Sequence, residues 1–328
     1  MAILGIEGTA HTLGVGIVED ADTCQILANQ RDMMRPDEGG IHPREAAHHH
    51  SEVGPNVLAA ALEEAGIGWG DLTGVAFSQG PGLGPCLRVA ATMARAASLK
   101  ANVPLAGVNH CVAHLEIGRA LTGLSDPLLL YASGANTQVI AHARGKYRVF
   151  GETLDVGIGN GLDKFARDNG IPFPGGPEIE KAAATTDVFH PLPYTVKGMD
   201  LCFAGTAIAS QRLVDQGVPF NEVCYSLQET AFAALMEVSE RALAHTRKEE
   251  LVLGGGVACN SRLQEMAQQM CDERGATYAC PPRPVLVDNG AMIAWLGREK
   301  LATGHPTKLA DSHIMPGQRT DQVDVVWR

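Results

Sequence analysis

Residues 2–20 read AILGIEGTAHTLGVGIVED: an apolar run, a turn of small residues at Gly8 to Thr12, then a second apolar run. Strand formers on either side of such a turn predict an antiparallel hairpin whose backbone amides can approach phosphate oxygens. Residues 127–155, PLLLYASGANTQVIAHARGKYRVFGETLD, repeat the arrangement. There a strand ends at Tyr131, the turn SGANTQ follows, and two more strands flank a turn at Gly145. Two such hairpins about 125 residues apart predict a duplicated domain.

Helical patterns fill the space between and after them. HPREAAHHHSEVGPNVLAAALEEAG has Pro43 near its start and Gly66 as a stop, and GPCLRVAATMARAASLKANVP gives a second helix before a short strand, PLAGVNH. Downstream, residues 226–247 form a long amphipathic helix, and LVLGGGVACNSRLQEMAQQMCDERG reads as strand, glycine turn and helix closing at Gly275. PVLVDNGAMIAWLGREK places Asp288 and Asn289 at a strand-to-helix junction. The expected fold is α/β with the actin-like ATPase and sugar-kinase (ASKHA) architecture, two duplicated lobes holding a nucleotide in a cleft. A boundary near Leu124 to Pro127 gives a first lobe over 1–125. A second lobe over 126–328 carries most of the nucleotide site, and its C-terminal segment is expected to pack back towards the first.

Composition narrows the class. The chain has 328 residues, 45% hydrophobic and 19% charged, with 37 glycines, as a globular α/β protein should. No apolar run approaches the roughly 18 to 20 residues that cross a bilayer. The sequence enters the strand ILGIEG at once without a basic or apolar leader, so the expected location is the cytoplasm. Eight cysteines are scattered with no CxxC pair, which argues against a zinc ribbon and a disulfide framework. The net charge of −11 opposes long-range attraction to a phosphate backbone, so a nucleic-acid substrate would need a local basic patch or a basic partner.

The phosphate signals are not those of the common loops. No GxxxxGK spacing is present, and a dinucleotide fingerprint starting at Gly254 ends on Cys259 where glycine is required. Each hairpin turn, and the GGGVACN turn, taken alone is as well read as an ordinary tight turn; together they suit a nucleotide.

His110 and His114, in HCVAHLEIG, stand four apart and share a helix face with Cβ atoms about 6 Å apart, a spacing suited to one metal. The HExxH of zinc proteases needs glutamate after the first histidine; Cys111 stands there, and Glu116 projects from the wrong side. Two hydrogen-bonded core histidines are the ordinary alternative. Further ligands would come from strand ends, Tyr131 beside the second turn and Asp288 after PVLV; a core tyrosine and a helix N-cap are the ordinary readings of these two. Two imidazoles, a phenolate and a carboxylate would suit iron or zinc. The run His48 to His50 points three ways from a helix and makes a poor single site.

Longer motifs then carry a resemblance. VNHCVAHLEIGR, YASGANTQ, GETLDVGIGNGLDKFAR, PGGPEIEK, VKGMD, GGGVACN, LVDNGAMIA and RTDQVDVVWR occur in order along the chain. They resemble the tRNA N6-adenosine threonylcarbamoyltransferase family, once named O-sialoglycoprotein endopeptidases, in its archaeal and eukaryotic branch. The resemblance implies transfer of a threonylcarbamoyl group from threonylcarbamoyl-AMP to N6 of the adenosine just 3′ of the anticodon, in tRNAs reading codons that start with A. It implies one divalent metal per subunit, Fe2+ rather than Zn2+, on His110, His114, Tyr131 and Asp288. It also implies ATP or threonylcarbamoyl-AMP bound at Tyr131, Ala132, Ser133, Gly134, Ala135, Asp163, Gly176, Glu180 and Asn260, with Asp163 and Glu180 accepting ribose or adenine hydrogen bonds.

The implied partners are the other subunits of the KEOPS complex, a small kinase-like ATPase and small accessory subunits, with tRNA bound mainly through the complex and no membrane involved. No residue is assigned as general base. Two positions depart from the family pattern: Cys259 replaces the usual alanine, and Ala204 replaces a small hydroxyl residue in LCFAG. A metalloprotease, and an ATP-binding scaffold subunit without catalysis, are the competing readings.

Overall fold

A computed structural model describes residues 1–36 and 40–328. The chain divides into two compact units, one of Met1–Gly123, Ala143–Tyr147 and Pro282–Arg328, the other of Leu124–His142 and Arg148–Pro281.

The first unit opens with the expected hairpin, β1 (Ala2–Glu7) and β2 (Thr12–Glu19), extended by β3 (Ile26–Met33). Helix α1 (Pro43–Ala65) follows and stops at Gly66, whose positive φ of 64° continues no helix. Then come β4 (Leu72–Gly80), α2 (Gly84–Ala101), β5 (Leu105–Asn109) and α3 (His110–Thr122).

The second unit repeats the plan with β6 (Leu128–Ala132), β7 (Thr137–Ala143) and β8 (Lys146–Glu152), whose β7–β8 turn is counted with the first unit. It continues through α4 (Ile158–Asp168), α5 (Gly176–Ala183), a small ribbon of β9 (Val196–Lys197) and β10 (Asp200–Leu201), and α6 (Ala204–Asp215). Helix α7 (Phe220–Thr246), β11 (Glu250–Gly254), α8 (Ser261–Arg274) and β12 (Thr277–Ala279) complete it. The chain ends in the first unit with α9 (Arg283–Leu286) and α10 (Gly290–Ala302).

The two five-stranded sheets have one topology. The first runs β3-β2-β1-β4-β5 and the second β8-β7-β6-β11-β12, so the strands of each sheet, numbered within that sheet, stand in the order 3-2-1-4-5. In both, the first strand pairs antiparallel with the second and parallel with the fourth. The duplication expected from the paired hairpins is therefore present in the backbone.

Alternation along β1 sets the two faces of the first sheet. Leu4 and Ile6 join Leu13, Val15, Ile17 and Phe77 in a core shared with Val57 and Ala61 of α1 and Ala90 and Ala94 of α2. Ile3 points the other way, towards Ala291 and Ala294 of α10. No side chain intervenes at the neighbouring glycines. A Cβ on Gly290 would lie 2.0 Å from the nitrogen of Gly16, so α10 rests backbone to backbone on the hairpin.

One local expectation is corrected. The segment before Asp288 is not a strand but the short helix α9, with Pro284 in its first turn.

A candidate metal centre and a candidate nucleotide cradle

Strand β5 passes into α3 without a loop because Asn109 caps the helix. Its side-chain oxygen accepts hydrogen bonds from the backbone amides of Cys111 (3.0 Å) and Val112 (3.1 Å). His110 thus begins the helix and His114 follows one turn later on the same face, their ring centroids 4.8 Å apart and nearly perpendicular at 81°. Every residue from His110 to Gly118 is buried, so both imidazoles lie out of bulk solvent.

Asp288 comes to them from the α9–α10 junction. The helix cap there is Asn289 rather than Asp288: Asn289 Oδ1 accepts from the Met292 amide at 3.0 Å, and its Nδ2 donates to the carbonyls of Val285 and Val287. Released from capping, Asp288 places Oδ1 3.5 Å from Nε2 of both His110 and His114. The three candidate ligand atoms lie within 4.8 Å of one another. Tetrahedral ligands about 2.1 Å from a metal stand about 3.4 Å apart, so the two 3.5 Å separations to Asp288 mark the set as a candidate site for one divalent ion.

Charge in this group is shared. Burial pushes the His110 imidazolium towards neutrality, but the carboxylates of Glu7 and Asp288 outweigh it and raise His110 to about 9. His114 moves the other way, held neutral chiefly by burial, with His110 adding repulsion. Burial works against the Asp288 carboxylate, yet the two imidazoles hold it well below the usual range.

Glu116, the one carboxylate on α3, takes no part. Its oxygens meet the Tyr147 hydroxyl, the Arg119 guanidinium at 2.8 Å and Arg328 at 3.8 Å. With Cys111 after His110, the helix lacks the base a zinc protease would need, as the sequence indicated.

In the first hairpin turn, two amides are taken from within the unit. The Gly8 amide donates to Ser78 Oγ (3.0 Å) and the Thr9 amide to Glu7 Oε1 (2.7 Å), so neither is left for a phosphate. Sequence reasoning missed Glu7, although a lone carboxylate closing the otherwise apolar AILGI run was a usable signal.

The second turn differs. Ser133 N and Oγ donate to the Asn136 carbonyl, which shapes the loop and leaves the Gly134 and Ala135 amides without a partner among the described residues. Around it, the expected nucleotide positions form a ring of contacts. Gly159 N donates to Ser133 O and Asn160 N to Gly134 O, which seats the start of α4 on the turn. On α4, Asp163 Oδ1 accepts from the Gly175 amide (2.8 Å) just before α5; on α5, Glu180 Oε1 accepts from the Ser261 amide (2.8 Å) that starts α8. Asn260 caps α8 through Oδ1 and donates from Nδ2 to Gln228 Oε1 at 2.8 Å. Gly255, at φ 90°, closes the ring: a Cβ there would stand 2.3 Å from the Ala132 carbonyl oxygen.

Gly176 has open space where a Cβ would be. Asp163, Glu180 and Asn260, expected to meet a nucleotide, are seen here tying segments of the cradle together. Tyr131 is buried near the end of β6, opposite Gln138 and Gly254. The structure thus gathers His110, His114 and Asp288 in the first unit, and Tyr131 with the other nucleotide positions in the second.

Residues 23–295 match the family model of TsaD, tRNA N6-adenosine threonylcarbamoyltransferase. The chain belongs to this family. Among its curated members, the tRNA N6-adenosine threonylcarbamoyltransferase of Thermococcus kodakarensis is 53% identical over 328 residues, covering all of both chains. A probable bifunctional tRNA threonylcarbamoyladenosine biosynthesis protein of Methanocorpusculum labreanum is 55% identical over 326 residues, which are 99% of this chain and 61% of that one. The chain therefore spans about 60% of the length of such bifunctional relatives. Outside the family, HypF of T. kodakarensis superposes with a TM-score of 0.66 at 13% identity, over 91% of this chain and 48% of HypF. The activator of the 2-hydroxyisocaproyl-CoA dehydratase of Clostridium difficile, with bound ADPNP, gives 0.57 at 11% over 93% and 97%. These likenesses bear out the actin-like ATPase fold expected for the family.

Proposed function

We propose that this chain transfers the threonylcarbamoyl group from threonylcarbamoyl-AMP to N6 of the adenosine 3′ of the anticodon, in tRNAs reading codons that start with A. The observation that carries the reading is the match, over both full lengths, to an archaeal relative bearing that transferase name. The donor is already activated, so no protein nucleophile is required. A bond forms between N6 and the carbamoyl carbon, the bond from that carbon to the phosphate oxygen breaks, AMP leaves, and N6 gives up a proton.

The chain's own residues bind and aim. Gly134 and Ala135 offer amides to phosphate oxygens, and the ring from Ser133 through Asp163 and Glu180 to Asn260 keeps that turn in place. His110, His114 and Asp288 would hold a divalent metal, and the resemblance adds Tyr131 to them. Such an ion would supply positive charge to a donor oxygen. The imidazole and carboxylate donors suit iron or zinc, and the family resemblance favours Fe2+. No group is assigned as base for N6.

With a net charge of −11, the chain is proposed to gain its tRNA affinity from partners, the kinase-like ATPase and small accessory subunits of KEOPS, in the cytoplasm. No helix among the described residues is long and apolar enough to cross a membrane.

The test is reconstitution with those partners, a threonylcarbamoyl-AMP synthase, L-threonine, bicarbonate, ATP and unmodified tRNA, with nucleoside mass spectrometry as the readout. The modified nucleoside is expected with the unaltered chain and absent with His110→Ala/His114→Ala, whose metal content falls to background. Absence of product with the unaltered chain, while a known transferase succeeds in the same mixture, would favour a scaffold role. Full transfer by the metal-free double variant would remove the metal from the chemistry.

A further inference from the structure

Glu7 is fully buried at the end of β1, after five apolar or glycine residues. A carboxylate in such a place is costly unless both oxygens are satisfied. Here each oxygen has a separate task. Oε1 accepts from the Thr9 amide at 2.7 Å and from the Thr9 hydroxyl at 2.5 Å, which fixes the plane of the carboxylate. Oε2 then faces His110 Nδ1 at 3.0 Å. The turn that carries Thr9 is itself held, since the Gly8 amide donates to Ser78 Oγ on β4. A carboxylate can only accept, so the ring proton of His110 belongs on Nδ1, and Nε2 is the nitrogen turned to Asp288 at 3.5 Å.

We propose that Glu7, steadied by Thr9, is the positioning residue of the metal centre: it fixes the tautomer and ring plane of His110 so that Nε2 is presented as a ligand. The inference rests on the metal reading of His110, His114 and Asp288. Carboxylates that accept from a ligating imidazole raise its basicity and orient it, and their loss typically weakens metal affinity about 10- to 100-fold. Glu7 touches the metal side of the ring nowhere and is not a catalytic residue. The first hairpin turn, expected to cradle phosphate, would on this view serve the imidazole.

The experiment titrates Co2+ into the metal-free full chain, following the visible absorption of the bound ion, for the unaltered protein and for Glu7→Gln and Thr9→Val. Glu7→Gln keeps the size of the side chain and removes its charge. The expected result is Co2+ binding about 10-fold or more weaker for Glu7→Gln, a smaller loss for Thr9→Val, and unchanged circular dichroism for both. A Glu7→Gln affinity within twofold of the unaltered chain would overturn the proposal.

A second measurement needs no variant. In the Zn2+-loaded unaltered protein, a long-range proton–nitrogen spectrum should place the His110 proton on Nδ1, and a proton found on Nε2 would overturn the proposal even if Glu7→Gln does not fold. Failure of the unaltered chain to bind Co2+ or Zn2+ at all marks instead the failure of the metal reading, and takes the proposal with it.

Discussion

Gly16 and Gly290 meet main chain to main chain, with room for no Cβ on either: one on Gly16 would stand 2.1 Å from the Ala291 nitrogen, one on Gly290 2.0 Å from the Gly16 nitrogen. This contact seats the start of α10 on the first hairpin and so fixes the height at which Asp288, two residues earlier, reaches the histidines. Gly290→Ala should therefore act twice. The atoms it meets, in Gly16 and Val15, are all backbone, so a destabilisation at or above about 1–3 kcal/mol, as overpacking costs, is expected. Co2+ affinity should fall with it because Asp288 is displaced. Chemical denaturation together with Co2+ titration checks both, and a variant as stable as the parent would contradict the close approach.

His110 gives the metal-free protein a definite pH response. Its value is raised from 6.5 to about 9, because the Glu7 and Asp288 carboxylates overcome the effect of burial. A raised value means that this stabilisation is complete below about 6.5 and is lost as the pH climbs through about 9. The same proton competes with a metal, so Co2+ affinity should rise across that window. Thermal midpoints recorded with and without Co2+ should diverge as pH increases, the metal-free midpoint falling. Parallel curves would show that His110 carries no such proton.

Asp155 stitches the start of α6 to the loop after β8, accepting from the amides of Val156, Phe203 and Ala204 at 2.6, 2.9 and 3.0 Å. Burial works against its charge, and these amides more than compensate, so its value lies below that of a free aspartate. Asp155→Ala should cost about 1–2 kcal/mol, as helix-cap losses do, and speed hydrogen exchange at Phe203 and Ala204. The contribution of the carboxylate is present above the ordinary aspartate value and disappears as the pH drops through the lowered one. An unchanged exchange rate at these two amides would refute the cap. The same contact clarifies the Ala204 departure: its backbone amide is anchored by Asp155, whatever side chain the position carries.

Tyr147→Phe tests the middle of α3, two residues beyond His114. It removes the hydroxyl that donates to Glu116 and leaves that oxygen with the Arg328 guanidinium at 3.8 Å. Leaving a buried carboxylate oxygen under-satisfied costs about 1–3 kcal/mol. The loss should appear in urea unfolding, with Co2+ affinity nearly unchanged because His110 and His114 sit in the first turns of α3. A tenfold affinity loss would show instead that the tail and the metal site are coupled.

What could be read from the sequence was what local chemistry decides. Both hairpins, the stop at Gly66 and the close of α8 at Gly275 follow from turn glycines between regular elements, and the pairing of His110 with His114 follows from helical spacing. The segment PVLV was misread because four apolar residues have no period of their own, and Pro284 favours a helix start as readily as an edge strand. Helix α7 begins at Phe220, six residues before its amphipathic pattern becomes clear. Glu7 and Thr9 could not be assigned a task, since their meaning depends on His110, 103 and 101 residues away. The same holds for Asp288, whose approach depends on the contact between Gly16 and Gly290.

The matching strand order of the two sheets lets their corners be compared. The corresponding corners, Glu7 to His11 in one unit and Ala132 to Asn136 in the other, have parted ways. In the first, the Gly8 and Thr9 amides are taken by Ser78 and Glu7; in the second, a small residue stands at the strand end and the Gly134 and Ala135 amides have no partner among the described residues. One topology thus carries two corners of different character, one closed around the Glu7 carboxylate and the other with two open amides among the described residues.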